Sequence, residues 1–335
     1  MILVTGGTGL VGSHLLLHLL QMGHQVRATH RKSSKRSVVQ KVFSYYAENS
    51  AELFAKIEWV LADLNDIPAL ESAFDGIEKV YHAAAMISFD PNDFNRLMTI
   101  NVEGTANIVN LCIARNVEKL CYVSSIAAIG KSLDESPINE ENEFSEQNAD
   151  VYSRSKYGAE LEVWRGSQEG LSVVMVNPGI IIGPGFWKGG SGTLFTTANK
   201  GYSYYPPSGT GFVTVNDVAH LLVAAMDSEI EKERFIAVSE NRSYKEIMML
   251  FTRNLGVKPP SKQLQIWQLQ VLRVLDVFWY FISRKERRIT KNGIASLKQR
   301  NYYEHKKAQE LLGFTFESIE DTVTFSCRIF KEENH

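Results

Sequence analysis

Tyr152 and Lys156 lie four residues apart in the segment Tyr-Ser-Arg-Ser-Lys. On an α-helix, side chains at this spacing project from one face, so the phenol and the ammonium group would lie close together. A free tyrosine has a pKa near ~10 and is a poor acid–base catalyst at neutral pH, whereas a neighbouring cation favours the phenolate. The pair therefore indicates proton transfer by a tyrosine, although the same spacing also occurs on ordinary solvated helix surfaces.

A glycine-rich loop near the start of the chain has the spacing of a dinucleotide-binding turn. It follows an apolar run at residues 1–4 and leads into an apolar helical run. The first glycine would permit a tight turn, the second would let the backbone approach a pyrophosphate, and the third would let the helix pack closely. The free N–H groups of the helix start would hold the anion, although a simple strand–helix turn has the same pattern. The cofactor contacts predicted in this loop are Gly6, Thr8, Gly9, Leu10, Val11 and Gly12.

The end of the second predicted strand decides which dinucleotide is expected. A carboxylate about twenty residues beyond the glycine loop binds the ribose diol of NAD and repels the 2′-phosphate of NADP. Residues 29–32 contain no acid, and Arg31 can hold a phosphate through two hydrogen bonds. The pattern predicts NADP as the cofactor, with NAD and a merely solvated basic turn as the alternatives.

Strand-like and helical segments alternate through the first half of the chain. This alternation predicts an α/β fold with a doubly wound parallel sheet, of the Rossmann type, over residues 1–176. Residues 177–335 are predicted to form a smaller substrate-binding region, with some elements that return to the sheet. Ligands of such folds bind at the carboxyl ends of the strands. The predicted strands after the first are 25–29, 57–61, 79–82, 120–124 and 172–176, and the clearest helices are 38–48, 93–115 and one that starts near 150.

Composition narrows the classes of partner. The formal net charge is −2, which gives no electrostatic basis for binding nucleic acid. Cys112, Cys121 and Cys327 are widely spaced and odd in number, so they predict a reducing, cytoplasmic compartment and neither a disulfide framework nor a metal site. Cys121 lies in an apolar strand and is expected to be a small core residue.

Two further segments carry expectations about the surface. Residues 134–146 are rich in Glu and Asp and are expected to form a solvated loop without chemistry. Residues 264–282 are apolar but contain Arg273 and Asp276, so a buried or lid helix is expected rather than a stable membrane span, with shallow membrane contact left open. Its aromatic residues could line an apolar pocket or simply form core. They are Trp267, Phe278, Trp279, Tyr280 and Phe281.

Taken in chain order, these motifs and several others resemble the extended short-chain dehydrogenase/reductase family, which is NAD-dependent epimerase/dehydratase-like. The matching segments are TGGTGLVG at 5–12, Asp63-Leu64, His82-Ala83-Ala84-Ala85, NVEGT at 101–105, Ser124-Ser125 with Gly130, YSRSK at 152–156, and Asn177-Pro178-Gly179. The resemblance implies that Ser125, Tyr152 and Lys156 are catalytic. It also implies cofactor contacts at Asp63, Leu64, Ala83, Ala84, Ala85, Asn101, Tyr152, Lys156, Pro178, Gly179 and Ile181.

Within that family, residues 26–31 and 176–185 are most similar to the dihydroflavonol reductase and aldehyde/ketone reductase branch. The epimerase branch usually has Arg where this chain has Asn177, and often Tyr where it has Ile129. The resemblance implies NADP(H)-dependent reduction of a ketone or aldehyde group on a small molecule. The alternatives are a nucleotide-sugar epimerase or dehydratase that recycles NAD(P), and a non-catalytic NAD(P)-sensing protein. Helices 93–115 and 150–165 could pair in a homodimer, as they do in related dimers.

Overall fold

The computed structural model describes residues 1–132, 136–147, 149–283, 293–294, 297 and 300–334, and for 278–283 the backbone alone. Within these ranges, strands and helices alternate through the first two thirds of the chain. The strands are β1 Ile2–Thr5, β2 Val26–His30, β3 Glu58–Leu61, β4 Lys79–His82, β5 Lys119–Val123, β6 Val173–Pro178, β7 Ile180–Ile182, β8 Tyr204–Tyr205, β9 Gly209–Thr214, β10 Glu233–Ala237, β11 Glu240–Ser243 and β12 Lys262–Gln263. The helices are α1 Leu10–Gln21, α2 Arg36–Ser44, α3 Ser50–Ala55, α4 Ile67–Ala73, α5 Phe94–Leu97, α6 Gly104–Ala114, α7 Val151–Gln168, α8 Thr193–Asn199, α9 Val215–Asp227, α10 Tyr244–Leu255, α11 Ile266–Ser283, α12 Lys306–Leu312 and α13 Ile319–Asn334.

The main sheet of the described residues has seven parallel strands in the order β10-β6-β5-β4-β1-β2-β3. The chain steps outward from β1 in one direction through β2 and β3, and in the other through β4, β5 and β6. The strand order therefore reverses between β1 and β4, and the crevice at their carboxyl ends is where ligands of doubly wound sheets bind. Thr5 and His82 are paired at this edge.

Helices cover both faces of the sheet and bury two apolar layers. On one face, Leu15, Leu16 and Leu19 of α1 are fully buried with residues of α9. On the other face, residues of α4, α6 and α7 pack on the same strands. The apolar residues of α1 recur at helical spacing and therefore form one stripe against the sheet. The predicted Rossmann-type α/β fold is confirmed, and Cys121 is a fully buried core residue as expected.

The helix predicted at 93–115 is present but is not uniform. α5 and α6 are joined by a π-helical turn at Met98–Glu103, so the helical run extends over Pro91–Ala114. This run is long and apolar enough, by composition, to cross a membrane. It packs against α7 and the sheet, as the core helices of other α/β domains with similar composition do. The π-helical turn contains Asn101, and such turns are frequent at functional sites.

Elements beyond β6 form a second layer of structure and also complete the main sheet. β7, β9 and β11 form a small sheet, and α8, α10 and α13 enclose a third apolar core with it. β10 pairs in parallel with β6 at the edge of the main sheet. The division at residue 176 stays a prediction, since sheet and helix packing cross it.

Two expectations about the surface are wrong in part. Glu140, in the acidic segment 134–146, is buried and accepts a hydrogen bond from the Ile236 backbone N–H at 2.8 Å. This bond attaches the acidic segment to β10, so the segment is not solvated throughout. α11 begins at Ile266, inside the apolar segment 264–282. Its Trp267, Val271 and Leu275 are more than half exposed and only Leu269 among its described side chains is buried, so the first half of this helix is not a buried core helix. The side chains of Phe278, Trp279, Tyr280 and Phe281 lie outside the described residues.

Candidate active site at the β1–β4 crevice

The loop between β1 and α1 shows why its three glycines are spaced as they are. Gly6 has φ +71°, and a Cβ there would lie 2.6 Å from the Ala84 backbone nitrogen. A Cβ on Gly12 would overlap the Gly6 carbonyl oxygen. A Cβ on Gly9 would meet only that same oxygen, at an ordinary 3.4 Å. Protein packing therefore explains two of the glycines, and the third leaves an open cradle that a side chain would fill.

The start of α1 is open to an anion. Gly9 occupies the N-cap position in an extended conformation, and no side chain among the described residues caps the helix. The first N–H groups of a helix need partners, and the helix dipole favours a negative one. Leu10 and Val11 present part of this surface and are half-buried. Ser124, at the end of β5, has a buried hydroxyl with no partner in the described part of the chain. These features fit a dinucleotide with its pyrophosphate at α1.

The basic turn after β2 is attached to the glycine loop. The Thr8 hydroxyl donates to Ser34 Oγ at 3.3 Å, and the Arg31 backbone N–H donates to the same oxygen at 3.1 Å. The side chains of Arg31, Lys32 and Lys35 are exposed. The turn therefore presents several cations beside the loop, with the Arg31 side chain free of protein partners among the described residues. The NADP contact of Arg31 stays a prediction.

Tyr152 and Ser125 meet at the carboxyl edge of β5. Asp150 caps α7 by accepting from the Ser153 backbone N–H at 2.7 Å, which places Tyr152 in the first turn of the helix. Burial raises the pKa of Tyr152 to about 12, and the nearby Ser125 hydroxyl acts on that pKa in the opposite direction. The lowering expected from Lys156 is therefore not what this structure shows. A phenol with this pKa is protonated at neutral pH.

Lys156 is fully buried and its ammonium group lies against β5. Its Nζ donates to the Tyr122 hydroxyl at 2.6 Å and to the Val123 carbonyl at 2.9 Å, and it lies 4.4 Å from the centre of the Tyr122 ring. Burial lowers the pKa of Lys156 to about 7, while the Glu160 carboxylate acts in the opposite direction. Lys156 therefore titrates near neutral pH, so its charge depends on the partners that surround it.

The remaining predicted cofactor contacts lie around the crevice in different ways. Ala83, Ala84 and Ala85 follow β4 and are partly exposed, and Asp63 follows β3 with its carboxylate bonded to the Asn65 N–H at 3.2 Å. Leu64 is buried and its side chain packs against Gly104. A Cβ on Gly104 would lie only 2.9 Å from the Leu64 side chain. Pro178 is buried, and Gly179 and Ile181 are half-buried beside β9 and the first core.

Asn101 is buried and has several protein partners. It is 1% exposed, and its amide accepts from the Met86 N–H at 2.7 Å and donates to the Met86 carbonyl at 2.9 Å. The same amide nitrogen donates to Ser155 Oγ at 2.9 Å. Asn101 therefore holds the segment after β4 against α7. Its contact with a cofactor stays a prediction.

Comparison with known proteins identifies the family. Residues 2–238 match the model of the NAD dependent epimerase/dehydratase family. The chain belongs to this family. A Synechocystis sp. protein that carries a provisional dihydroflavonol 4-reductase name is 30% identical over 99% of this chain and 94% of its own length. The crystal structure of gox2253 has a TM-score of 0.84 at 30% identity over 100% of this chain and 98% of that one. The Bordetella bronchiseptica enzyme WbmH, solved in complex with NAD⁺, has a TM-score of 0.76 at 17% identity over 100% and 99%.

As a member of the NAD dependent epimerase/dehydratase family, the protein is an NAD(P)-dependent enzyme of the extended short-chain dehydrogenase/reductase type. Its nicotinamide cofactor follows from the family, whereas the choice between NADP and NAD does not. Within the described residues, no group of three or more His, Cys, Asp or Glu side chains could hold a metal ion.

Sequence analysis missed a buried polar cluster behind Ser125 in this epimerase/dehydratase fold. The Asn177 amide donates to the Ser125 carbonyl at 3.0 Å and to Glu160 at 2.5 Å. Arg234 of β10 pairs with the other Glu160 oxygen at 3.0 Å. One signal was available: Glu160 continues the four-residue spacing of Tyr152 and Lys156, so an acid had to lie on the same face of α7.

Proposed function

We propose that this protein is an NADP(H)-dependent oxidoreductase that reduces a ketone or aldehyde on an apolar small molecule, using Ser125, Tyr152 and Lys156. The observation that carries the proposal is the surface beside the catalytic phenol. The Phe89 ring lies edge-on to Tyr152 with 5.4 Å between ring centres, and Phe89 is 52% exposed. Ile87, two residues earlier, is 57% exposed. An aromatic wall next to a proton donor suits an apolar carbonyl compound.

The roles of the three residues follow from their protonation and position. Tyr152, whose pKa is raised to about 12, is protonated at neutral pH and donates its proton to the carbonyl oxygen as that oxygen gains charge. Ser125, whose hydroxyl acts on the pKa of the same phenol, orients the carbonyl oxygen. The Lys156 ammonium group holds the cofactor ribose and stabilises the phenolate that remains. When bound, the nicotinamide supplies the hydride.

The preference for NADP is supported by the turn after β2. Arg31, Lys32 and Lys35 are exposed there, and the Thr8–Ser34 hydrogen bond fixes the turn beside the pyrophosphate loop. The 2′-phosphate of NADP is a doubly charged group that an arginine fork recognises better than a ribose hydroxyl. The β1–α1 loop, Ala83–Ala85 and the segment after β6 would hold the dinucleotide.

A second function, epimerisation or dehydration with a recycled cofactor, is favoured by the family-model match alone. The two functions differ in stoichiometry, because a reductase consumes one NADPH for each product and an epimerase consumes none. The Synechocystis relative, with its reductase name and coverage of nearly the whole chain, supports the first function. Asn177, which holds Ser125 in place, stands where the epimerase branch usually has Arg.

The test is a panel of apolar and aromatic ketones and aldehydes with NADPH or NADH, followed by nicotinamide absorbance. We expect NADPH oxidation with the apolar substrates. Phe89→Ala should raise KM for those substrates while NADPH affinity is kept. Met22→Ala is the control, because Met22 is 49% exposed and follows α1 at the opposite, amino-terminal edge of the sheet. Conversion of a nucleotide sugar without NADPH consumption would establish the second function instead.

We also propose a cytoplasmic homodimer. The three cysteines are unpaired and buried, which suits a reducing compartment. Leu161 on α7 is 48% exposed, and an apolar residue on this helix could meet its counterpart in a second copy. Light scattering during gel filtration should give twice the chain mass, and Leu161→Glu should reduce it to the monomer. A monomeric wild type would refute this part.

A further inference from the structure

Helix α11 carries a stripe of apolar side chains on its outer face. Each of the four residues in this stripe is about half exposed or more: Trp267 (66%), Val271 (52%), Val274 (48%) and Leu275 (57%). At roughly 100° per residue, all four fall within a single arc of ~100° around the helix. A surface helix ordinarily turns such a stripe toward the core. A contiguous exposed apolar patch of this kind marks an interaction surface.

The opposite face of α11 contains the two charged residues of the helix. Leu269 is buried on that face, and Arg273 and Asp276 beside it are only partly exposed. The reverse orientation would place both charges in water and the stripe against the protein, which is the arrangement that burial energetics favours for an isolated molecule. The fold adopts the other orientation. The outward stripe is therefore a feature that a partner has to complete.

Two exposed tyrosines and two lysines border the start of α11. The pairing of β12 with β8 places Lys262 opposite Tyr204, and α11 begins shortly after β12. Lys262 Nζ lies 5.9 Å from the centre of the Tyr204 ring, and Lys200 Nζ lies 5.9 Å from the centre of the Tyr202 ring. Tyr202 is 54% exposed and Tyr204 is 45% exposed. Aromatic rings and cations therefore stand side by side where the chain enters α11.

The local charge around the stripe is positive, although the net charge of the whole chain is −2. Residues 196–208 and 256–277 include β8, β12 and the described side chains of α11, and their basic residues are Lys200, Lys258, Lys262 and Arg273. Their one acid is Asp276, on the face opposite the stripe. The sequence beyond the helix has the same sign, since residues 284–300 have Lys or Arg at seven positions and Glu at one. A partner that fits is apolar inside and anionic at its surface.

We propose that this region docks on an anionic lipid bilayer, with α11 lying in the plane of the headgroups. The region, called the α11 surface below, comprises the stripe and Tyr202, Tyr204, Lys258 and Lys262. Trp and Tyr collect at headgroup depth, lysines bind anionic headgroups, and an apolar helical face enters the acyl boundary. A second copy of this chain would bring lysines against lysines, so like charges oppose that occupant. The proposal concerns attachment alone and does not depend on the proposed reductase.

The test is sedimentation of the full-length protein with lipid vesicles. Vesicles of phosphatidylcholine alone are compared with vesicles of an equal mixture of phosphatidylcholine and phosphatidylglycerol. We expect binding to the mixed vesicles, binding at least about tenfold weaker to phosphatidylcholine alone, and release from the mixed vesicles as the salt concentration is raised. Lys262→Gln should weaken binding to the mixed vesicles by about fivefold, which is the effect of one lysine close to an anionic surface.

A pair of double variants locates the contact. Val271→Glu combined with Leu275→Glu places two charges on the stripe and should abolish vesicle binding. Met22→Glu combined with Leu311→Glu is the matched control, because Met22 and Leu311 are 49% and 50% exposed, lie after α1 and on α12, and receive the same two charges. This control should bind like wild type. Since all four side chains are exposed, both proteins should keep the wild-type melting temperature.

Three results would overturn the proposal. The first is a wild type that does not bind the mixed vesicles at low salt, and the second is equal binding by the two double variants. The third is a wild-type oligomer that stays in solution with both kinds of vesicle and that the stripe variant alone dissociates in gel filtration, because a second copy would then cover the stripe. If the stripe variant does not fold, Lys262→Gln and the lipid comparison still decide the matter. Failure of carbonyl reduction would leave each of these outcomes unchanged.

Discussion

At Tyr152 two effects act on one phenol in opposite directions. Burial raises its pKa, and the Ser125 hydroxyl lowers it, with burial the larger effect. Lys156, the expected depressor, gives its hydrogen bonds to Tyr122 and Val123 instead. The phenol is consequently set up to give a proton rather than to take one, which is the direction that carbonyl reduction needs.

Tyr152→Phe tests this role at the scale of one oxygen atom. We expect turnover to fall by roughly two to four orders of magnitude, the usual contribution of a positioned proton donor, with NADPH affinity unchanged. Steady-state kinetics and a fluorescence titration of NADPH measure the two quantities. Tyr157→Phe is the control, because Tyr157 lies on the same helix but stacks on Phe144 at 4.2 Å. Near-native turnover in Tyr152→Phe would refute the mechanism.

Arg31→Ala tests the choice of cofactor. Loss of a charge-assisted contact to the 2′-phosphate should weaken NADPH binding by about ten- to a hundredfold. NADH has no such phosphate and acts as the internal control, so its affinity should not change. Calorimetric titration of both dinucleotides gives the comparison. An equal loss of affinity for NADPH and NADH, or a wild type that prefers NADH, would show that the basic turn is merely solvated and does not bind the 2′-phosphate.

Sequence patterns located the Tyr152–Lys156 pair and the glycine loop because their spacing within one helix or turn is local. The partners of Lys156 could not be found in that way. Tyr122 looks like an ordinary strand residue, and only the packing of α7 on β5 brings its hydroxyl to Lys156. The bonds of the Asn101 amide to Met86 and Ser155 could not be found from the sequence for the same reason, and its cofactor contact stays a prediction. A local motif identifies residues, whereas a hydrogen-bond network depends on the fold.

At the scale of elements, the N-terminus of α1 combines an extended cap with a cradle that no protein side chain fills. The sequence predicted this element well, because an apolar strand, three spaced glycines and a leucine-rich helix agree with one another. It predicted α11 poorly, since apolar composition alone does not distinguish a buried helix from one whose Trp267 and Leu275 face outward. Small strands such as β7 and β12 are too short to give a pattern.

A pair of valine substitutions separates binding from folding at this element. Gly9→Val should leave the melting temperature nearly unchanged, because its backbone is extended and its Cβ has room, yet NADPH affinity should be lost. Gly12→Val should lower the melting temperature sharply, because the new side chain meets the Gly6 carbonyl. Thermal unfolding and calorimetry of the two proteins give the contrast. A folded Gly9→Val protein with wild-type affinity would exclude this loop as the pyrophosphate site.

For the whole molecule, buried ionisable groups set how stability changes with pH. Burial lowers the pKa of His14 from 6.5 to about 4, so the unfolded chain takes up this proton first as pH falls. The stability that neutral His14 contributes is therefore lost between about pH 6.5 and pH 4. Burial raises the pKa of Asp217 from 3.8 to about 6, so its contribution has the opposite sign and is lost as pH rises through that range.

Urea unfolding at pH 7, 6, 5 and 4 resolves these two contributions. The free energy of unfolding of wild type relative to His14→Gln should fall on acidification, by at most ~1.4 kcal/mol per pH unit. Relative to Asp217→Asn it should rise over the same range. The two variants serve as controls for each other, since the expected slopes differ in sign. Parallel curves for all three proteins would show that neither group changes its pKa on folding.

The position of β10 has a consequence for synthesis. β6 lies inside the sheet only because β10 pairs with its outer edge, and β10 is translated after α9. Until then the nascent sheet ends in Val173, Val174 and Val176, an apolar strand with unpaired backbone groups. Such edges recruit foreign strands. A ribosome stalled before β10 would therefore expose an aggregation-prone strand edge on β6. We expect a chaperone to bind this edge until β10, the last strand of the main sheet, has been synthesised.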